Sequence, residues 1–157
     1  MGTLTDRLHK TTCFRGLSTG YLEALAGCAT LTSWQPDHYL FQQGGTADTF
    51  YLIDAGQVAL EVFTSGCLRM RIQTLHAGEL LGWSWLYPPY LWHFDALALT
   101  EVQAFRFDAL AVRSLCENDH EFGYQLQTRI TPMIIARLQT TRMQMVELYG
   151  GRAAKLG

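Results

Sequence analysis

The sequence has no long apolar run, no strong basic field and no signal peptide. No apolar stretch approaches the ~20 residues that a membrane-spanning helix needs. Twelve Lys and Arg against 14 Asp and Glu leave a formal net charge of −2, which disfavours nucleic acid as a direct partner. The first ten residues, MGTLTDRLHK, contain no apolar run. We therefore expect a soluble, cytoplasmic protein.

The sequence also lacks the common signatures of metal sites and catalytic centres. Its cysteines are far apart and form no CxxC spacing, which indicates reduced thiols rather than a disulfide scaffold or a metal site; they are Cys13, Cys28, Cys67 and Cys116. No two of its five histidines have metal-ligand spacing, and the His-x-His of cupin enzymes is absent. There is no Ser-His-Asp order, no paired-carboxylate motif and no phosphate-binding P-loop. We expect no cofactor, no metal and no enzymatic activity. A cupin-type enzyme is the least favoured of three hypotheses, after the two non-enzymatic functions described below.

What the chain does contain is enough apolar sequence for one ordinary domain over residues 1–157. Hydrophobic residues make up 48% of it and charged residues 17%. Residues 1–30 have helical spacing, with Ser18 as a candidate N-cap. Residues 31–107 indicate many short strands, residues 108–150 indicate helices, and residues 151–157 form a tail.

Glycine-containing turns punctuate the strand region at intervals near ten residues. The runs between them alternate or favour β structure, with Tyr51, Ile53, Val58, Leu60, Val62, Met70, Ile72 and Thr74 as the clearest positions. Such spacing predicts a sandwich or barrel of antiparallel strands.

The helical region carries three further signals. Asn118 and Glu121 form a capping-box-like pair at the start of a long helix. Pro132 predicts a kink or break within this helix. Gly150 and Gly151 are expected to end it.

One stripe of the long helix has the 4-3-4-3 spacing of a short coiled-coil seam. Its residues are Ile134, Leu138, Thr141, Met145 and Leu148. Packing on the protein's own strands would explain a single stripe. Apolar residues on other faces (Ile135, Met143 and Val146) favour a second partner, so we expect a homodimer through this helix.

Residues 78–99, GELLGWSWLYPPYLWHFDALAL, hold three Trp and two adjacent Pro but no Lys or Arg. The rings have three interpretations. They could fill the core and leave nothing to bind, line a site for an apolar ligand, or form an exposed patch for a protein partner.

Three segments in order resemble the cyclic nucleotide-binding domain family, above all its bacterial catabolite-activator branch. They are PDHYLFQQGGTADTFYLIDAGQVALEVF, then HAGELLG, then RLQTTRMQMVELYG. The resemblance implies a mainly β fold with flanking α-helices, a jelly-roll-like β-roll with an N-terminal helix and a long C-terminal helix. It implies a sensor or regulatory domain with a cyclic nucleotide inside the roll, closed by a final helix that also dimerises.

The resemblance also implies the site. Gly78 and Glu79 match the family's phosphate cassette, with Glu79 accepting from a ribose hydroxyl, and Leu80 and Leu81 supply backbone donors or wall. Thr141 and Arg142 match the final-helix residues near the base.

The chain departs from the family where a cassette Arg normally pairs with the phosphate. Trp92 stands at that position, with His93 one residue later and Leu91 one earlier. A charge-assisted contact contributes about 1.5–3 kcal/mol to binding. Its loss would weaken or abolish the affinity for a cyclic nucleotide, or change which ligand binds. The alternative is a ligand-free protein–protein interaction module with an aromatic-filled pocket.

The end of the chain carries one more expectation. Only GGRAAKLG follows Tyr149, where bacterial regulators of the family continue into a helix-turn-helix domain. We expect a stand-alone sensor that acts on gene expression only through a protein partner.

Overall fold

A computed structural model describes the chain over residues 3–66 and 68–156, with side chains to residue 150. The helices are α1 (Leu4–Lys10), α2 (Thr19–Ala26), α3 (Ala109–Asn118) and α4 (His120–Leu156), with 3₁₀ turns at Thr12–Phe14 and Ser84–Leu86. The strands are β1 (Ala29–Trp34), β2 (Tyr39–Phe41), β3 (Thr49–Ala55), β4 (Val58–Phe63), β5 (Arg69–Leu75), β6 (Leu80–Leu81), β7 (Asp95–Ala98) and β8 (Val102–Asp108).

The strands form two four-stranded antiparallel sheets. Their orders are β1-β8-β3-β6 and β2-β7-β4-β5, so strands distant in sequence become neighbours. In β8 the apolar side chains of Val102, Ala104, Phe105 and Phe107 are buried, and the polar residues between and after them are exposed. The predicted β-roll with flanking helices is confirmed.

Stacked aromatic rings fill much of the core. The ring of Phe50 lies between those of Trp85 and Phe107, with centroids 4.3 and 4.6 Å away and nearly parallel planes. The buried indole of Trp85 donates its N–H to the Gly82 carbonyl at 3.2 Å, so its one polar atom is satisfied. For Trp85, the core-filling interpretation of the tryptophans holds.

The N-terminal segment contains two helices where the sequence indicated one. Ser18 caps α2 as predicted, since its Oγ accepts from the Tyr21 N–H at 3.3 Å. The preceding α1 was not predicted. A reciprocal pair between Thr3 and Asp6 caps it, and Leu8 anchors it with no exposed surface.

The long helix differs from its prediction at three points. Asp119, not Asn118, caps α4, with its Oδ1 accepting from the Phe122 N–H at 3.2 Å. The helix continues through Pro132, so the predicted break is wrong. It also passes Gly150, because two glycines lower helix propensity without enforcing a stop and the following RAAKL contains good helix formers.

None of the helices in the described part of the chain is both long and apolar enough to cross a membrane.

Candidate ligand site

The turn before β6 is fixed by backbone hydrogen bonds to β3. The Gly78 N–H donates to the Ile53 carbonyl at 2.7 Å, and the Ile53 N–H donates to the Glu79 carbonyl at 3.0 Å. Gly78 has a φ of +88°, which favours glycine there. The half-buried Glu79 is thereby held at the edge of the roll, facing α4.

Arg137 reaches this turn from α4, and the sequence did not single it out. Its Nη2 donates to the Leu80 carbonyl at 2.7 Å, and its Cζ lies 4.8 Å from the centroid of the Trp83 ring. Only 8% of the residue is exposed, and its Nη1 is buried with no hydrogen-bond partner among the described residues. A guanidinium in this setting can accept an anion.

Burial dominates the electrostatics of Arg137. Desolvation of the charged form lowers the pKa of its guanidinium to about 10, while the nearby Glu79 carboxylate partly opposes that shift. The group therefore remains protonated at neutral pH with its hydration largely removed, and an incoming anion would restore part of the lost interaction.

An apolar cavity of about 330 Å³, here called the interior cavity, lies between the roll and α4. This volume is at the lower end of the range for small-molecule sites. Its wall combines aliphatic and aromatic surface with a few polar groups: Leu60, Ile72, Gln73, Trp83, His93, Phe94, Ile134, Arg137, Leu138, Thr140 and Thr141.

A second cavity of about 300 Å³, here called the lateral cavity, lies between the N-terminal 3₁₀ turn, the turn before β6 and α4. Glu79 lines it, and so do Gln73, Arg137 and Thr140, which also line the interior cavity. The two cavities therefore adjoin at these three residues.

The structure brings five of the eight predicted ligand residues to these cavities. Gly78, Glu79 and Leu80 line the lateral cavity, whereas His93 and Thr141 line the interior one. The ribose-binding role of Glu79 stays a prediction, since its carboxylate lies in the lateral cavity rather than the interior one.

The other three predicted residues lie elsewhere. Leu81 is fully buried and pairs with Tyr51 of β3. The ring of Trp92 stacks on Phe41 with centroids 3.8 Å apart, and Arg142 is exposed on α4. Trp92, the residue predicted to stand in place of the cassette Arg, therefore packs in the core.

The strand arginines do not replace that cation. Arg69 and Arg71 on β5 are exposed, and the guanidinium of Arg69 lies 5.3 Å from the Tyr39 ring centroid. Arg137 on α4 is the guanidinium that lines the interior cavity in the described part of the chain. Its position three residues after Ile134 and four before Thr141, on the seam side of the helix, was the signal that could have found it.

The residues predicted to form a dimer seam divide into two groups along α4. Ile134 is half-buried at the interior cavity, which Leu138 and Thr141 also line from exposed positions. Met145 and Leu148 are exposed by 49% and 66%. Packing on the described part of the chain therefore does not account for the apolar character of the second group.

Comparison with known proteins supports the family resemblance. The model of a family described as the cyclic nucleotide-binding domain matches residues 31–119. No curated protein matches the chain.

Solved structures resemble the chain over most of its length. A cyclic nucleotide-binding domain from Methylobacillus flagellatus is 17% identical with a TM-score of 0.78, over 92% of this chain and 81% of that one. The Catabolite Activator Protein of Thermus thermophilus is 18% identical with a TM-score of 0.71, over 87% and 62%. The PKA regulatory domain of Toxoplasma gondii, crystallised with cAMP, is 16% identical with a TM-score of 0.66, over 71% and 43%. Similarity at this level establishes the fold.

Proposed function

Because this chain belongs to the cyclic nucleotide-binding domain family, we propose that it is a cytoplasmic, non-enzymatic sensor domain that binds a cyclic nucleotide in the interior cavity. The observation that carries the proposal is Arg137, a buried guanidinium with an unpartnered nitrogen among the described residues at the wall of that cavity. The family fold supplies the β-roll, and α4 supplies the cation that the loop lacks.

The chemistry of the cavity fits a cyclic phosphate with an attached base. One negative charge buried from water needs a cation or several donors, and Arg137 provides the charge. The apolar side chains of Leu60, Phe94 and Ile134 offer surface to a base. The Thr141 hydroxyl already donates to the Arg137 carbonyl at 2.9 Å, so its lone pairs are available as acceptors for a base amino group.

Moving the cation from the loop to the helix changes what binding does. A ligand held by Arg137 contacts α4 directly, so its affinity depends on where the helix lies. Binding would thus favour the helix position in which Arg137 reaches the phosphate. This preference is the free energy that a sensor can transmit.

Titration calorimetry of the full chain with cyclic AMP and cyclic GMP tests the proposal. We expect saturable binding that Arg137→Met weakens by one to two decades, the equivalent of a lost charge-assisted contact. Arg142→Met is the matched control, because it removes the same charge from an exposed position on the same helix. Absence of binding at millimolar nucleotide, or equal loss in both variants, would contradict the proposal.

We also propose that the distal half of α4 pairs with a second copy of the chain. Its exposed large apolar side chains are Met143, Met145, Val146, Leu148 and Tyr149. Exposure on several faces of one helix is typical of a surface that a partner covers.

Light scattering after size exclusion tests this pairing. Wild-type chain is expected to elute as a dimer, and the double variant Met145→Lys with Leu148→Lys as a monomer. Gln139→Lys, an exposed polar position of the same helix, should leave the dimer intact. A monomeric wild type at high concentration would refute the pairing.

The alternative function, a ligand-free interaction module, has one observation in its favour: Trp85 and Trp92 occupy space inside the roll. The interior cavity that remains beside Trp83 favours a ligand instead. A null calorimetry result for both nucleotides would shift the balance to the interaction module and its protein partner.

A further inference from the structure

The lateral cavity has a separate chemical character from the interior one. It shares Arg137 with the interior cavity, and Thr12 and Cys13 of the N-terminal segment complete its wall. Neither residue belongs to the roll or to α4. The lateral cavity is therefore lined by the N-terminal segment, the roll and α4, whereas the interior cavity is lined by the roll and α4.

Two guanidinium groups line this cavity. Arg129 and Arg137 lie eight residues apart on α4, which places their Cα atoms about 12 Å apart along the helix axis. Each has one buried nitrogen without a hydrogen-bond partner in the described part of the chain, Nε of Arg129 and Nη1 of Arg137. Buried donors left unpaired are costly, so both would gain from an acceptor.

The remaining groups leave the cavity cationic. Two guanidinium charges face one carboxylate, that of Glu79. The Cys13 thiol adds no charge, since burial raises its pKa to about 11. Between the two arginines, Met133 and Ala136 present apolar surface on the same helix face.

We propose that the lateral cavity is a second ligand site, which takes a small organic monoanion with a carboxylate or a singly charged phosphate group and a short apolar body. One net positive charge favours a monoanion over a dianion. The Nη1 of Arg137 donates to the anionic group, and Met133 and Ala136 contact the apolar part. Arg129 supplies the second positive charge of the cavity wall; its Nη atoms donate to Gln125 and Arg15, and its Nε is left without a partner among the described residues. The proposal does not depend on nucleotide binding in the interior cavity.

Arg137 links the two sites because it lines both cavities. An anion held by its Nη1 on the lateral side takes a donor that the interior phosphate would use. The two ligands therefore oppose each other, and by linkage each lowers the affinity of the other by the same factor.

Three phenylalanine substitutions on one helix separate the sites. Ala136→Phe obstructs the lateral cavity only and Thr141→Phe the interior cavity only, while Gln139→Phe lines neither. All three positions are exposed, so each variant should fold. The probes for the lateral site are sodium butyrate and inorganic phosphate at about pH 6, where phosphate is mostly the monoanion. Sodium chloride at equal ionic strength is the control, and cyclic AMP is the probe for the interior site.

Calorimetry is expected to show saturable butyrate or phosphate binding that Ala136→Phe and Arg129→Gln each weaken at least tenfold. Thr141→Phe and Gln139→Phe should leave it unchanged. The stronger of the two probes identifies the anionic group that the site prefers. Failure of cyclic AMP to bind would contradict the proposed function and leave this result standing.

Two outcomes would overturn the lateral site. The first is butyrate and phosphate binding no stronger than that of chloride, or binding that Ala136→Phe does not affect. The second is that Ala136→Phe and Thr141→Phe both abolish cyclic AMP binding, which would make the two cavities the ends of one nucleotide site.

Discussion

Replacing Arg137 by Met separates a binding group from a structural one. Burying a guanidinium opposes folding, and its contacts favour folding, so the net effect on stability depends on their balance. We expect Arg137→Met to change the free energy of unfolding at pH 7 by less than about 1.5 kcal/mol. The same variant should lose most of its nucleotide affinity.

The magnitude follows from the environment of Arg137. Its pKa falls to about 10, which corresponds to a cost of about 3 kcal/mol for keeping it charged in the folded state at neutral pH. The hydrogen bond to Leu80 contributes about 1.5–3 kcal/mol and the contact with the Trp83 ring ~1–2 kcal/mol. These contributions nearly cancel, and the Met side chain keeps part of the packing.

Urea denaturation at fixed protein concentration measures the difference, because the proposed dimer would otherwise make stability concentration-dependent. Arg142→Met should fall within about 0.5 kcal/mol of wild type. The pH dependence has a definite sign. A base with a lowered pKa in the folded state loses its penalty as pH rises from about 10 towards the guanidinium's ordinary value, so wild type should gain on Arg137→Met there.

A stability loss above about 3 kcal/mol for Arg137→Met would refute this reasoning. Such a loss would mean that Arg137 holds α4 to the roll as a structural pin. Its unpartnered nitrogen would then carry no information about a ligand.

Three substitutions, two of them with a matched control, test the fold itself by thermal or urea denaturation. Gly56→Ala should lower the free energy of unfolding by more than about 2 kcal/mol, because φ is +95° and a Cβ would collide with a backbone oxygen between β7 and β8. Its control, Gly20→Ala in α2, where the space is open, should instead raise the free energy of unfolding by up to ~1 kcal/mol. Phe50→Ala should cost ~3–5 kcal/mol by removing the centre of the ring stack, against less than about 1 kcal/mol for the half-exposed Phe63→Ala. Asp108→Ala should cost about 1 kcal/mol, since this side chain caps α3; equal stability would contradict that role.

The β-roll was predictable because its signals are local. Glycine turns such as that at Gly56 recur at short intervals, and the strands between them carry β-branched and aromatic residues. The α1 helix escaped prediction because seven residues are too few to show a helical period: Leu8 is its fully buried residue, and Leu4 packs against the core from a partly buried position. The predicted end of α4 was wrong because Gly150 lowers helix propensity without ending the helix.

Arg137, the cation of the proposed site, was not predictable from residues 78–99, which contain no Lys or Arg. The resemblance predicts that Trp92 stands where the family carries Arg, but the sequence alone does not say which residues face that position in space. The structure brings Arg137 beside Leu80 and Trp83 from a helix that begins 22 residues after β7 ends at Ala98, with β8 and α3 in between. That contact follows from the way the chain folds, and no motif spacing in the sequence predicts it.

Because α4 is long, a small change of its tilt at Arg137 would produce a large displacement of its C-terminal end. The helix has 37 residues, and Arg137 lies near its middle, about 28 Å from the end at Leu156. A tilt of about 10° around the Arg137 contact would move that end by about 5 Å, roughly the pitch of one helical turn. A small rearrangement of the Arg137 hydrogen bond would thus become a displacement of several ångströms at the end of α4. A neighbouring molecule bound to that end could respond to it.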